Sequence, residues 1–295
     1  MQLIKSPHAG FCFGVKRAMQ IITETTQSNV KKPIYMLGSL VHNENVVQKI
    51  TQQGIILVNN INDIPDQATV ILSAHGSPPS IYQKAQTKNL HVIDATCPYV
   101  TAVHNLGKLL ATENYHIVIV GDQNHAEVQG ILGTIHSLTQ NVHIVSRVDD
   151  IRKNNLEKLP KVGIVSQTTQ DTDIFKQIVN HFIDTTTDLR IFNTICQATR
   201  CRQSAAIQLA SQVDLMIVVG SRTSANTKRL AEICQPIVNT YQVETARDLD
   251  SQWFINIKKV GLTAGASTPD WVIDEVEKLI TNQNTPVHKN TTSVE

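Results

Sequence analysis

Three kinds of loop follow one another in a fixed order along this chain, and the whole order occurs three times. The first is a cysteine just ahead of a helical pattern. Gly10-Phe11-Cys12-Phe13-Gly14 precedes residues 15–26, Asp94-Ala95-Thr96-Cys97-Pro98 precedes 99–111, and Thr194-Ile195-Cys196-Gln197-Ala198 precedes 199–211. The second is an apolar run ending in glycine, then a polar loop. Ile34-Tyr35-Met36-Leu37-Gly38 leads to His42 and Asn43, Ile117-Val118-Ile119-Val120-Gly121 to His125 and Glu127, and Met216-Ile217-Val218-Val219-Gly220 to Ser224 and Asn226. These glycines fall 26, 24 and 24 positions after their cysteines. The third is another apolar run with a small polar loop: Ser73-Ala74-His75-Gly76, Ser166-Gln167-Thr168-Thr169, and Thr263-Ala264-Gly265-Ala266-Ser267. A further apolar stretch separates the second and third kinds, at 55–58, 142–145 and 236–238.

Self-similarity of this kind marks a repeated supersecondary unit. Near-continuous apolar strands that alternate with amphipathic helices predict an α/β fold with small, mostly parallel sheets covered on both faces. Ligands of such sheets bind beyond the carboxyl ends of the strands. All nine polar loops are expected at those ends. Three repeated α/β lobes about a common axis bring them to one central cavity. No internal stretch reads as a linker, and residues 282–295 are expected to form a loose tail.

The cysteines decide what that cavity holds. The chain has five. No apolar run reaches the roughly 18 residues that span a bilayer, and the first residues lack a signal-peptide pattern. A cytoplasmic location is therefore expected, where disulfides are rare and metal, cluster or catalytic use is the better reading. Cys12, Cys97 and Cys196 are too scattered for a zinc finger. Three thiolates suit a 4Fe-4S cluster and leave one iron open as a Lewis acid and electron relay. Cys201 and Cys234 fall outside the repeat and are expected to be structural.

Of eleven histidines, only His42, His75 and His125 fall in the repeat loops. With Ser224, Asn226, Ser267 and the helix starts behind them they compose an anion cradle, to which imidazolium is expected to add charge. A diphosphate fits this inventory. The formal net charge of +1 gives no bulk reason to expect nucleic acid or a membrane surface as partner, and no Walker-type loop is present. Glu127 is either a solvated first-turn residue or a proton donor for loss of a hydroxyl. Thr168 is placed to position or relay that proton, whereas Thr169 reads as a turn cap. Lys16, Arg17, Arg202 and Arg229 read equally as cavity cations and as surface charges.

The cysteine loops, Gly38-Ser39-Leu40-Val41-His42-Asn43, Ser73-Ala74-His75-Gly76, Ser166-Gln167-Thr168-Thr169 and the Thr263–Ser267 loop together resemble the 4-hydroxy-3-methylbut-2-enyl diphosphate reductase (IspH/LytB) family over nearly the whole chain. The resemblance implies a two-electron, two-proton reductive dehydroxylation of an allylic diphosphate. Its products are isopentenyl and dimethylallyl diphosphates, in the last step of the non-mevalonate isoprenoid pathway. It implies a 4Fe-4S cluster on Cys12, Cys97 and Cys196. It further implies diphosphate binding by His42, His75, His125, Thr168, Ser224, Asn226 and Ser267, and proton delivery by Glu127 and Thr168. The donor implied is a ferredoxin or flavodoxin-type protein. The fold implied is a pseudo-threefold trefoil of lobes 14–97, 98–195 and 196–281, with 1–13 packed on the third.

Two positions depart from the family pattern. Ala126 stands where a proline is usual, which is expected to loosen Glu127. Ala225 stands where a second serine is common, which removes a possible hydroxyl contact with the substrate. A cluster-bearing sensor would not need the cradle, and a hydro-lyase using an open iron would need no reductant.

Overall fold

The computed structural model describes residues 1–282. The chain opens with β1 (Gln2–Lys5) and α1 (Phe13–Gln27). The first unit then runs β2 (Ile34–Leu37), α2 (Glu44–Gln52), β3 (Ile55–Val58), β4 (Thr69–Leu72), α3 (Pro79–Thr87) and β5 (His91–Asp94). Helix α4 (Pro98–Thr112) leads into β6 (His116–Val120), α5 (Ala126–His136), β7 (Val142–Val145), α6 (Asp149–Lys153), β8 (Lys161–Ser166), α7 (Thr172–Thr185) and β9 (Asp188–Ile191). Helix α8 (Gln197–Ala210) leads into β10 (Leu215–Val219), α9 (Ala225–Cys234), β11 (Thr240–Val243), β12 (Lys259–Ala264) and α10 (Asp270–Asn282). Asn282 thus ends a helix, and the rest of the expected tail, 283–295, lies outside the described residues.

Three separate four-stranded sheets result, ordered β3-β2-β4-β5, β7-β6-β8-β9 and β11-β10-β12-β1, with every pairing parallel. The order is the same in all three. In the third sheet the N-terminal strand β1 takes the place that β5 and β9 hold in the others. The predicted α/β fold of three lobes is therefore present, as separate open sheets.

The apolar runs explain the layering. In β6, Ile117 and Ile119 face a cluster with Val103, Leu110 and Ile131 of α4 and α5. Val118 and Val120, one residue out of phase, face Phe175, Ile178 and Phe182 of α7. Strand alternation sends neighbouring side chains to opposite faces, so a continuous apolar run is what a sheet covered on both sides requires.

The edge strands that precede the cysteines were not legible as strands. β1, β5 and β9 share one burial pattern, with two half-buried residues between exposed ends, and so carry a weak apolar signal. One expected strand is displaced. Residues 236–238 close the end of α9, where Ile237 and Val238 donate their N–H groups to the Cys234 carbonyl. The strand proper is Thr240–Val243, in which only Val243 is buried.

Candidate active site

The threefold order is visible atom by atom at the strand ends. The N–H groups of Gly38, Gly121 and Gly220 donate to the carbonyls of Val58, Val145 and Val243. The N–H groups of Cys12, Cys97 and Cys196 donate to the carbonyls of Ala266, Ala74 and Thr168, at 3.1, 3.0 and 3.0 Å. Each cysteine is also the residue capping a helix, of α1, α4 and α8 respectively. Helix N-termini favour negative charge, which suits thiolate ligands.

All three cysteines line a central cavity of about 820 Å³, its mouth included. His42, His75, His125, Glu127, Thr168, Ser224, Asn226 and Ser267 line the same cavity. The structure thus brings every cysteine, histidine, serine, asparagine, glutamate and threonine proposed for the site to one place, whereas Asn43 of the first loop caps α2 instead. The cysteines are free and partly exposed. Gly14 makes room for them, because a Cβ there would stand 2.6 Å from the Cys97 sulfur and 3.9 Å from the Cys12 sulfur. Burial raises the thiol pKa of Cys97 and of Cys196. Thr199, not singled out from the sequence, places its hydroxyl 3.1 Å from the Cys196 sulfur and donates its N–H to it at 3.4 Å. Its position three residues past a capping residue was the available signal.

The three imidazoles form a tight group with centroids 4.9 to 5.4 Å apart. Among the described residues they are the metal-ligand set whose nitrogens all lie within 4.8 Å of one another, and the cysteine sulfurs are spread more widely. Distance alone would allow a metal ion on the histidines. The tautomer argues otherwise. His125 caps α5, and its Nδ1 accepts the Glu127 N–H at 3.2 Å. An accepting Nδ1 leaves the proton on Nε2, so the other nitrogen is a donor suited to an anion. His42 Nε2 and Asn226 Nδ2 are buried without a partner among the described residues. Buried polar atoms normally find partners, so these two fit a polar ligand in the cavity.

The expectation that imidazolium supplies charge is corrected. Loss of solvation lowers the pKa of His42. It lowers His75 well below the usual range, helped by the two other rings. His125 falls to about 4, again chiefly through burial. The cradle at neutral pH is built of uncharged N–H donors.

Glu127 is 2 % exposed, so it is not a solvated surface residue. Its Oε1 accepts the Thr168 N–H at 2.6 Å and its Oε2 accepts the Thr168 hydroxyl at 2.9 Å. Burial pushes its pKa up to about 7, against the opposing pull of the two Thr168 bonds. A carboxyl that holds its proton near neutrality can deliver it. The two bonds also hold Glu127 firmly, so Ala126 leaves it well anchored. Ser224 caps α9 and accepts a 3.3 Å bond from the Ser267 hydroxyl. Thr169 lines the cavity and accepts a bond from the Gln167 side chain.

Of the four candidate cations, Arg202 alone is among the cavity-lining residues. Arg17 donates to the Thr96 carbonyl, Arg229 reaches Gln170 and Glu232, and Lys16 is exposed. Cys234 is buried, with its thiol pKa pushed up to about 11, as an inert core residue should be. Cys201 lies within α8, beside the Gln197 side chain.

Residues 3–281 match the model of a family described as LytB protein. A 4-hydroxy-3-methylbut-2-enyl diphosphate reductase of Citrifermentans bemidjiense is 43% identical over 277 residues, 94% of this chain and 95% of that one. The enzyme of the same name from Aquifex aeolicus is 41% identical over 281 residues, 95% and 96% of the two chains. Among solved structures, the E-1-hydroxy-2-methyl-but-2-enyl-4-diphosphate reductase of Plasmodium falciparum superposes with a TM-score of 0.89. It is 36% identical and covers 97% of this chain and 89% of that one. A second structure, of an (E)-4-hydroxy-3-methyl-but-2-enyl diphosphate reductase described as the terminal enzyme of the non-mevalonate pathway, gives 0.69 at 40% identity, covering 96% and 100%.

Proposed function

Since this chain belongs to the LytB family of 4-hydroxy-3-methylbut-2-enyl diphosphate reductases, we propose that it removes the allylic hydroxyl of that diphosphate as water. Two electrons and two protons are consumed, and isopentenyl and dimethylallyl diphosphates are formed. This is the closing step of the non-mevalonate route to isoprenoids. The family is iron–sulfur dependent, and the residues of this chain fit such a group. Three free cysteines converge on one cavity, each on a helix N-terminus, with Gly14 leaving the space a Cβ would fill. Their wider spacing than the histidine trio suits a polyatomic cluster better than a single ion.

On this reading Cys12, Cys97 and Cys196 hold a 4Fe-4S cluster, which when bound supplies the electrons and one iron without a protein ligand as Lewis acid. His42, His75, His125, Thr168, Ser224, Asn226 and Ser267 bind and orient the diphosphate, with N–H and O–H groups in place of fixed charge. Glu127 holds a proton at a carboxylate oxygen and delivers it to the departing hydroxyl, a poor leaving group until protonated. Thr168 keeps that carboxyl in place from both its N–H and its hydroxyl. Val15, Val41, Ala74 and Val100 also line the cavity and exclude water around the allyl group. The lobes are assigned as 14–97, 98–195 and 196–281 with 1–13. No helix among the described residues is long and apolar enough to cross a membrane. The enzyme is placed in the cytoplasm, with a ferredoxin or flavodoxin-type protein as electron donor.

The observation that carries this reading is the buried Glu127–Thr168 pair in a cavity shared with three cysteines and three histidines. The test is anaerobic purification, an iron and sulfide count, and product analysis with and without a reductant. Reductant-dependent formation of the two diphosphates is expected, and Cys12→Ser, Cys97→Ser and Cys196→Ser should each abolish it. A more unsaturated, dehydrated diphosphate formed without any reductant would point to a hydro-lyase instead. A cluster-bearing protein that leaves the hydroxy diphosphate unchanged would point to a sensor.

A further inference from the structure

Arg202 lies in α8, six residues after Cys196, and only 3 % of its surface is exposed. Its guanidinium donates from Nε to the His8 carbonyl at 2.9 Å, from Nη2 to the Gly10 carbonyl at 2.7 Å, and from Nη1 to the Ala198 carbonyl at 3.4 Å. All three acceptors are neutral. The ionisable groups that act on it are the thiols of Cys12, Cys196 and Cys201, which carry charge only when ionised, and no carboxylate is among them. A buried charge without a counter-charge is strongly unfavourable, and an arginine cannot escape by losing its proton. The compensating negative charge must therefore come from the cavity that Arg202 lines together with Cys12 and Cys196.

The acceptors add a second consequence. His8 and Gly10 belong to the stretch between β1 and Cys12, where Gly10 has a φ of +95°. Two guanidinium bonds tie this stretch to the helix that Cys196 caps. Cys12 enters the site from the N-terminus and Cys196 from the third unit, and Arg202 is the side chain that joins their supports.

We propose that Arg202 is a positioning and charge-balancing residue for the cofactor site: it locks the segment that presents Cys12, and its permanent charge beside Cys12 and Cys196 raises the reduction potential of the cluster held there. The proposal rests on the reading that these cysteines hold an iron–sulfur cluster. Each electron added to such a cluster makes it more negative, and a fixed cation in a poorly solvated site favours the reduced form.

The test is a redox titration of the cluster in wild type, Arg202→Met, Arg202→Lys and Arg200→Gln holoenzymes, with iron content measured on each. Arg200 makes an exposed bond to Gln197 and serves as the control. Wild type and Arg200→Gln should share one potential. Arg202→Met should shift it to more negative values, whereas Arg202→Lys, which keeps the charge, should stay close to wild type. A wild-type potential in Arg202→Met with full iron content overturns the proposal. If Arg202→Met retains no iron, Arg202→Lys decides: an unshifted potential supports the charge assignment, and a large negative shift overturns it. Wild-type protein that takes up no iron overturns the cluster reading itself, and the role of Arg202 falls with it.

Discussion

The second lobe and its two counterparts share a backbone and differ in side chains, and the difference separates two tasks. The carbonyls of Ala74, Thr168 and Ala266 stand at equivalent places and accept the N–H of a cysteine at 3.0 to 3.1 Å. Two of these residues are alanine. The third is a threonine whose N–H and hydroxyl both hold Glu127. Glu127 in turn is the second residue of α5, where α2 and α9 have Asn45 and Asn226. The repeated backbone presents the cysteines. The Glu127–Thr168 pair is built into one lobe alone, and the proposed proton delivery would run through it.

Removing the carboxyl should break this division most visibly. Glu127→Gln is expected to lower kcat by ~10²–10⁴-fold, the usual contribution of a general acid. KM should change little and iron content not at all. Steady-state rates with a chemical reductant check this. Near-normal turnover would take Glu127 out of the reaction.

Thr168→Ala makes the second lobe match the other two. The carbonyl that holds Cys196 remains, so iron content should be that of wild type. Loss of the hydroxyl bond should cost roughly tenfold in kcat, equivalent to ~1.4 kcal/mol. The pH profile sharpens the comparison. Burial has raised Glu127 from its ordinary value to about 7, and the Thr168 bonds oppose that rise. In the proposed role the protonated carboxyl is the donor, so activity should fall as pH rises through about 7. Without the hydroxyl bond that falling limb should move to higher pH. A limb that moves down, or loss of iron, would contradict the split between backbone and side-chain roles.

How far the sequence led follows the same split. The loops could be read because their residues are polar where strands end, and the repeat placed Cys12, Cys97 and Cys196 apart from Cys201 and Cys234. The cysteine-bearing edge strands could not be read, because a half-buried edge strand such as His91–Asp94 has only two inward residues. The strand after α9 was displaced because Ile237 and Val238 are apolar yet serve to close a helix end. Arg202 stayed ambiguous because its acceptors, His8 and Gly10, are about 190 positions away in sequence. The charge state of the histidines was misjudged because folding removes the water around all three rings, and only His75 and His125 are further held down by a neighbouring ring.

That suppression predicts a smaller effect in the histidine cradle, which joins the first two lobes. His42, His75 and His125 have lowered pKa values in the free protein. A bound diphosphate is a counter-charge that raises them. When a base has a higher pKa in the complex than in the free protein, binding takes up protons and strengthens as pH falls. Inorganic diphosphate should therefore bind several-fold more tightly at pH 6 than at pH 8. Calorimetry in two buffers of different ionisation enthalpy should show net proton uptake. No uptake beyond the diphosphate's own proton exchange would mean that the rings do not change charge on binding.

The smallest effect concerns Ala126, next to the residue with the largest. Ala126 is the first residue of α5, and His125 before it has φ −75° and ψ 135°. A proline fits the first helical position, where the N–H has no partner within the helix. The extended conformation it demands of its predecessor is already in place. Ala126→Pro should therefore stabilise the fold by ~0.4–1 kcal/mol through the unfolded chain, seen as a modest rise in Tm. Its effect on kcat should stay within about twofold, because the two Thr168 bonds already fix Glu127 and a stiffer helix start adds little to them. A several-fold gain in kcat would instead mean that Glu127 samples unproductive positions when Ala126 precedes it. Thr168 would then be only a partial anchor, and the proton path of the second lobe would depend on its helix start as much as on the pair.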